Sequence, residues 1–345
     1  MSVTRALAFE PPWWLRNPHV QSTLASSGLR RALRRAHARD LESRAEELIL
    51  DAGDGVRLQG FHTRQRALDA PRGLAVLLHG WEGSVRSTYL LQTGGRLLRE
   101  GWDVFRLNFR DHGDTHHLNR GLFHSCLLDE AIGAVREFTR THPQMPRVVV
   151  GFSLGGNFAL RVALHAAQAG LELDGAVAVC PVIDPHQGLF SIERGPWFYH
   201  WYFMYKWRRS LRRKQRAFPD AALFEPGDLR GDLRGLTTAL VKRHTDFGTL
   251  DNYLDGYSIA GDALAQLRVP AWILTSRDDP VIPVADFERM ELPSSVELDI
   301  TPRGGHCGFI SDVRLSSFAE DYIASKLAGI APLRERARSE RAAAA

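Results

Sequence analysis

The stretch VVVGFSLGG at residues 148–156 decides the fold of this chain. Three consecutive β-branched residues predict a buried strand, and the glycine-bracketed serine predicts a sharp turn into a helix. Gly151 and Gly155 stand two residues before and two after Ser153, where a side chain would collide with the backbone of such a turn. A strand, a turn and a helix in this order present the serine hydroxyl above a sheet, which is the geometry of a nucleophilic serine.

Short apolar runs alternate with longer helical patterns on both sides of that stretch. Runs such as LAVLL at residues 74–78 and AVAV at residues 176–179 are apolar throughout, as in strands buried on both faces. We therefore predict an α/β fold with a mostly parallel, doubly wound sheet covered by helices. Runs at residues 45–51 and 56–63, joined by a Gly-Asp-Gly turn, predict an opening hairpin. The final helix is predicted within residues 312–327.

The alternation divides the chain into four parts. Residues 45–184 and 266–330 are predicted to form the α/β core, with residues 1–44 as an N-terminal extension packed on it. Residues 185–265 show no β pattern and many aromatic and basic residues, which predicts a helical cap inserted into the core. Residues 331–345 are rich in alanine and charge, and we expect a disordered tail there.

Composition narrows the classes of function. The 345 residues are 44% hydrophobic and 24% charged, the mixture of an ordinary globular protein. A formal net charge of +4 is small for 345 residues, so the charge gives little reason to expect nucleic-acid binding. Three cysteines without a C-x-x-C pair argue against a disulfide framework or structural zinc. Because no apolar run is long enough to span a bilayer and no signal peptide is recognisable, we expect a soluble, cytoplasmic protein. We expect no metal, and the sequence does not determine the oligomeric state.

A nucleophilic serine needs a base and an acid that orients the base, and in this order of elements both follow it in the chain. His306 is the candidate base, because glycines flank it and it follows an apolar run at residues 296–301. The acid is expected in the string RDDPVIP, directly after the apolar run at residues 271–276. Spacing alone permits Asp278 or Asp279; we favour Asp279, with Asp278 as a turn or capping residue.

The negative charge that develops on a substrate carbonyl needs two N–H donors, which form an oxyanion hole. The first candidate is the backbone N–H of Leu154, which directly follows the serine. The second is the N–H of Trp81, in the string HGWEG that follows the predicted strand at residues 74–78. We interpret His79 as a structural imidazole that bonds to nearby backbone.

The predicted cap contains the aromatic string WFYHWYFMYKW at residues 197–207, and six Arg or Lys residues follow within residues 208–216. Two interpretations are open. The helix covers a pocket with its aromatic face, which we favour, or its aromatic and basic side chains make transient contact with an anionic membrane surface. An aromatic cap also predicts a substrate with an apolar acyl chain, a class that includes lipids.

Together the motifs HGWEG, GFSLGG, DDPVIP and GGHCGF resemble those of the α/β-hydrolase superfamily. The string FEPPWWLRNPHVQSTL, which begins at residue 9, is similar to the YheT-like branch of the AB hydrolase 4 family. These are bacterial proteins regarded as esterases and related to the eukaryotic ABHD lipases. The resemblance covers residues 9–328 and implies a carboxylic-ester hydrolase that needs no cofactor, with Ser153, Asp279 and His306 as its triad. Family members often have leucine where Trp81 stands, so the indole is expected to narrow the acyl side of the pocket.

From the residues and the resemblance we expect a serine hydrolase that cleaves carboxylic esters through an acyl-enzyme, acting on a small-molecule ester. An acyltransferase would use the same three side chains and differ in excluding water from the acyl-enzyme. A non-catalytic lipid- or membrane-binding protein on the same fold would keep the cap and would not need the three side chains.

Overall fold

Nine strands form one sheet in the computed structural model, which describes residues 3–225 and 227–330. In space their order is β1-β9-β8-β7-β6-β4-β5-β3-β2. Strand β3 pairs antiparallel with β2 and β5, and the other neighbouring pairs are parallel, which confirms the predicted α/β fold and the predicted hairpin. The strands are β1 Val3–Ala6, β2 Glu46–Asp51, β3 Arg57–Thr63, β4 Gly73–Leu78, β5 Trp102–Leu107, β6 Arg147–Phe152, β7 Gly175–Val179, β8 Ala271–Ser276 and β9 Val296–Thr301.

Twelve α-helices lie within the described residues. They are α1 Pro18–Ala25, α2 Gly28–Leu33, α3 Arg35–Ser43, α4 Thr88–Arg99, α5 Leu128–Arg140, α6 Leu154–His165, α7 Pro185–Arg194, α8 Trp197–Ala217, α9 Leu233–His244, α10 Leu250–Asp255, α11 Val284–Glu288 and α12 Phe318–Ala328. Each helix in this part of the chain is too short or too polar to cross a membrane. The tail predicted at residues 331–345 lies outside the described residues.

The side chains of the central strands alternate between two hydrophobic clusters. In β4, Ala75 and Leu77 pack with α3, α4 and α12, whereas Leu74, Val76 and Leu78 pack with α5 and α6. Every residue of β4 and of β6 is buried, which explains why their sequences are apolar throughout rather than alternating. The carboxyl ends of these parallel strands meet at one edge of the sheet, where the loops that follow them converge.

Two features differ from the sequence prediction. Strand β1 was not predicted; it pairs in parallel with β9 at the edge of the sheet, and its four residues are too few to show a pattern. The final helix begins at Phe318, later than predicted. Its start is delayed because Leu315 has a φ of 56°, and because Ile310 and Ser317 form an isolated antiparallel bridge.

The N-terminal helices are fixed to the body of the protein by buried ion pairs. Arg34 donates to one carboxylate oxygen of Glu320 on α12 at 3.0 Å, and Arg30 donates to the other. Arg30 also donates to the carbonyl oxygens of Ala25 and Leu315. Since a buried charge is tolerated only when it is paired and hydrogen-bonded, these contacts specify where α2 lies against α12.

Helices α7 to α10 all fall between β7 and β8 in the chain, and no strand lies in the described residues of this region. They pack around a separate hydrophobic cluster, which also includes Leu122 from the segment between β5 and α5. Its members include Leu189, Met204, Leu211, Leu236 and Leu240.

Candidate active site

Ser153 stands at the turn from β6 into α6 with a φ of 53° and a ψ of −121°, a strained conformation for a residue with a side chain. The turn is too tight for side chains at either flanking glycine. A Cβ on Gly151 would lie 2.0 Å from the carbonyl oxygen of Gly155, and one on Gly155 would lie 2.4 Å from that of Leu78. This close-packed turn places Ser153 above the carboxyl ends of β4 and β6.

His306 lies between the serine and an aspartate. Its Nε2 is 2.9 Å from Ser153 Oγ, and its Nδ1 is 2.9 Å from Asp279 Oδ2. The carboxylate partner assigns the proton to Nδ1, which leaves Nε2 as an acceptor for the serine hydroxyl. Burial is the largest single influence on the pKa of His306 and lowers it. The charges and hydrogen bonds of Asp279 and Cys307 together outweigh burial and raise that pKa well above the ordinary value.

The two adjacent aspartates of the loop after β8 have different partners. Asp279 Oδ1 accepts the backbone N–H groups of Val281 at 2.8 Å and Ile282 at 3.0 Å, so that Oδ2 faces the imidazole. Asp278 Oδ1 instead accepts the backbone N–H of Gly305 at 2.9 Å. Of the two aspartates that spacing permits, the structure therefore brings Asp279 to the ring and uses Asp278 to fix the loop that carries His306.

The loop after β4 lies against the serine. A Cβ on Gly80 would be 3.2 Å from the Cβ of Ser153, so the backbone that enters Trp81 passes beside the nucleophile. Within the described residues, the N–H groups of Trp81 and Leu154 donate to no protein acceptor. Two free donors beside a serine hydroxyl are what a developing oxyanion requires.

Two buried imidazoles hold this loop in place. His79 bonds through Nδ1 to the carbonyl of Gly80 at 2.8 Å, and its Nε2 accepts the N–H of Phe109. His112 accepts the N–H of Glu82 through Nε2 at 3.2 Å. Burial lowers the pKa of His79 well below its ordinary value and that of His112 to about 4, so both rings stay neutral and keep their acceptor nitrogens. This agrees with the interpretation of His79 as structural.

Helix α1 holds the His306 loop from the other side. Ser22 Oγ accepts the backbone N–H of His306 at 2.8 Å, and Gln21 bonds to both the N–H and the carbonyl of Ile310. The packing is close: a Cβ on Gly305 would lie 2.4 Å from the carbonyl oxygen of Pro18. The glycines around His306 therefore serve two purposes, since Gly305 also has a φ of 55°.

Helix α8 passes over the Trp81 loop. The indole of Trp81 stacks on Phe203 with 5.4 Å between ring centroids and meets Trp207 edge-on at 5.3 Å. Near the C-terminal end of the same helix, Lys214 forms a buried ion pair with Asp111 at 2.6 Å. Aromatic stacking and a buried charge pair thus fix α8 beside the serine.

Two thiols lie next to the imidazole. Cys180, Cys307 and His306 each have a potential metal-ligand atom within 4.8 Å of the others, and in the part of the chain described no other such group was found. Both nitrogens of His306 already have partners in Asp279 and Ser153. A metal ion at this position would require one of those hydrogen bonds to break.

A family model for Hydrolase_4, described as serine aminopeptidase, S33, matches residues 69–309, more than half of the chain. The chain belongs to this family. It is therefore a hydrolase of the α/β-hydrolase type, as the sequence motifs predicted. The match begins after α1, so the helix that contacts the His306 loop lies outside the part of the chain that the family model covers.

Relatives of this hydrolase agree with that assignment. It is 28% identical over 278 residues to the Escherichia coli (strain K12) protein named "Putative esterase YheT", covering 78% of this chain and 79% of the relative. Solved structures share its fold at lower identity. A Pyrococcus furiosus esterase is 15% identical with a TM-score of 0.52, covering 96% of this chain and 98% of that one. A Bacillus coagulans carboxyl esterase is 14% identical with a TM-score of 0.53, covering 83% and 99%.

Sequence reasoning missed three residues of this family member's site. Ser22 and His112 are distant in sequence from the residues they hold, and nothing in their local strings marks a contact. Lys214 stands in the basic run at residues 208–216, where sequence reasoning assigns it no role of its own. A signal was nevertheless available, because Lys214 falls at helical spacing from the buried Met204 and Leu211.

Proposed function

We propose that this hydrolase cleaves carboxylic esters through an acyl-enzyme on Ser153. One observation carries the proposal: a strained serine, an imidazole and a carboxylate are joined in sequence by two hydrogen bonds of 2.9 Å. A serine hydroxyl is unreactive by itself, and this chain of contacts is the arrangement that activates one.

In the first half-reaction, His306 Nε2 takes the hydroxyl proton while Ser153 Oγ attacks the acyl carbon. The carbonyl oxygen becomes an oxyanion, which the N–H groups of Leu154 and Trp81 stabilise. Asp279 holds the ring in the correct tautomer and favours its protonated form, consistent with the raised pKa of His306. The ring then gives its proton to the departing alcohol, which leaves an acyl group on the serine.

In the second half-reaction, His306 takes a proton from water, which attacks the acyl carbon and releases the acid. The same two N–H donors hold the second oxyanion, and the proton returns to Ser153 Oγ. The cycle restores the neutral ring and the free hydroxyl, and its steps use protein groups and water.

Helices α7 to α10, with the loops that join them, form the cap of the proposed enzyme. Trp81, with Phe203 stacked on it and Trp207 edge-on to it, places three aromatic rings beside the oxyanion donors. Such a wall has no hydrogen-bonding groups to satisfy except the indole N–H groups, so it favours an apolar acyl chain over a polar one.

The test is intact-mass labelling of the full chain with a fluorophosphonate, which phosphonylates an activated serine with loss of fluoride. We expect one adduct on the wild type, one on Ser325→Ala, whose serine lies on α12, and none on Ser153→Ala. Hydrolysis of p-nitrophenyl esters of increasing chain length then defines the acyl preference. An unlabelled but folded wild type, inactive on all esters, would overturn the proposal.

The same assay addresses the acyltransferase alternative. An added alcohol that diverts most of the acyl product from acid to a new ester would replace hydrolysis by transfer as the main reaction, without changing the role of Ser153. Release of free acid at an undiminished rate supports the hydrolase.

A further inference from the structure

The face of α8 that points away from Trp81 carries exposed aromatic rings. Trp197, Trp201 and Tyr205 follow each other at intervals of four residues, so they form one stripe along the helix. They are 77%, 59% and 53% exposed, and Tyr202 beside them is 42% exposed. Trp201 and Tyr205 stack on one another with 5.6 Å between centroids rather than on the rest of the protein. Contiguous exposed aromatic surface of this kind marks an interaction site.

The stripe continues into unpaired positive charge. Arg209, Arg212 and Arg216 are exposed on the same helix, and within the described residues no carboxylate pairs with any of them. Their neighbours differ in this respect, since Arg213 pairs with Asp114 at 2.6 Å and Lys214 with Asp111. The outward face therefore has an aromatic half and a cationic half.

The inward face of the same helix has a different role. Phe203 stacks on Trp81 and Trp207 meets it edge-on, and the backbone of Trp81 follows the glycine beside Ser153. The inward rings pack α8 against the rest of the protein, so the outward rings are not needed for that packing. A partner bound to the outward face would therefore lie about one helix diameter from the candidate active site.

We propose that the outward face of α8 docks on the surface of an anionic lipid bilayer and that the enzyme takes apolar esters from it. The substrate-supply half of this statement rests on the proposed function; the docking half does not. Amphipathic rings of Trp and Tyr partition to the level of lipid headgroups, and exposed arginines are attracted to anionic ones.

Charge complementarity favours this occupant over a second copy of the chain. Two copies meeting through this face would bring two sets of unpaired arginines together, which is unfavourable, whereas an anionic surface neutralises them. Each arginine near such a surface strengthens binding by about fivefold at moderate salt. Losing two of them should therefore weaken binding by roughly 25-fold.

The experiment is flotation of the full-length protein with phosphatidylcholine vesicles that contain either no or 30 mol% phosphatidylglycerol, at low and high salt. We expect binding to the anionic vesicles, and we expect salt to weaken it. Arg209→Ser with Arg212→Ser should weaken binding by roughly 25-fold, and Trp197→Ser with Trp201→Ser should also weaken it.

Matched controls lie on other helices. Arg35 and Arg39 on α3 are also exposed and unpaired within the described chain, so replacing both by serine removes the same charge from a different face. Leu29 and Leu33 on α2 are 59% and 55% exposed, and their double serine variant removes exposed apolar surface elsewhere. Both control variants should bind vesicles like the wild type.

The outcomes separate the two proposals. Hydrolysis of p-nitrophenyl acetate without vesicles should be the same in the α8 variants as in the wild type, which shows that they fold. An active wild type that does not float with anionic vesicles, or control variants that lose binding equally, would overturn docking and leave the proposed function intact. Vesicle binding by a protein without esterase activity would overturn the proposed function and leave docking intact.

A second copy of the chain is the other possible occupant of this face. Self-association in sedimentation velocity that the α8 variants abolish, without vesicle binding, would replace the bilayer by a second copy.

Discussion

Strand β6 has six residues and all of them are buried, whereas helix α8 has twenty-one and four of them are buried. One of the four is a lysine. The core is thus specified by apolar side chains that pack on both faces of a sheet, and many substitutions of similar volume would satisfy it. Helix α8 is instead held by a few directional contacts, each of which has a defined partner. Strand β6 positions Ser153, whereas the outer surface of α8 can change without altering that position.

The largest expected effect tests the core side of this comparison. Asp279→Asn should reduce kcat by about 10⁴-fold, because an amide no longer holds His306 in the tautomer that accepts the serine proton. Asp278→Asn is the matched control. Its oxygen can still accept the N–H of Gly305, so activity should fall far less. Steady-state ester hydrolysis measures both, and equal losses would contradict the distinction between the two aspartates.

The next effect concerns the attachment of helix α8. Lys214→Met leaves the carboxylate of Asp111 buried without its partner, which should lower the free energy of unfolding by about 3–5 kcal/mol. Lys242→Met, at an exposed position on α9, should change it by less than about 0.5 kcal/mol. Urea unfolding followed by tryptophan fluorescence measures both.

A double variant tests whether the unpaired charge of Asp111 causes the loss of stability in Lys214→Met. Asp111→Asn added to Lys214→Met removes the unpaired charge, and asparagine tolerates the φ of 59° at this position. It should recover much of the lost stability. If Lys214→Met alone unfolds like the wild type, the ion pair does not hold α8, and the contrast between the two regions is weaker than we infer.

The smallest effect lies where the N-terminal extension meets the active site. Ser22→Ala removes the acceptor of the His306 N–H and should reduce kcat/KM by roughly tenfold, since a buried donor left unpaired costs about 1–3 kcal/mol. Ser22→Thr keeps the hydroxyl and should restore activity. Thr23→Ala, one residue further along the same helix and exposed, should have no effect. Equal activity of Ser22→Ala and wild type would show that α1 does not position the imidazole.

The parts of the fold that could be predicted from sequence are those specified locally. The stretch at residues 148–156 contains the strand, the turn glycines and the helix start within nine residues, so its geometry needs no distant information. The same holds for the hairpin of β2 and β3, whose turn lies between them. Strand β1 could not be predicted, because it pairs with β9, which lies far away in the sequence.

The candidate site divides in the same way. Ser153 and His306 are marked by the glycines beside them, and the structure brings both together. The choice between Asp278 and Asp279 depends on which way a loop turns two adjacent carboxylates, and spacing carries no information about that. Ser22 contributes through a hydrogen bond to a residue 284 positions away, and such a pairing leaves no local pattern.

That separation has a consequence for the order in which the molecule is made. A ribosome adds roughly 5–20 residues per second, so on the order of 15 to 60 seconds pass between synthesis of helix α1 and synthesis of the loop that it supports. Ser153 emerges midway through this interval, without its base. In the growing chain Ser153 is therefore not yet activated. The enzyme we propose becomes reactive only when β9 and the following loop, which carries His306, have been synthesised.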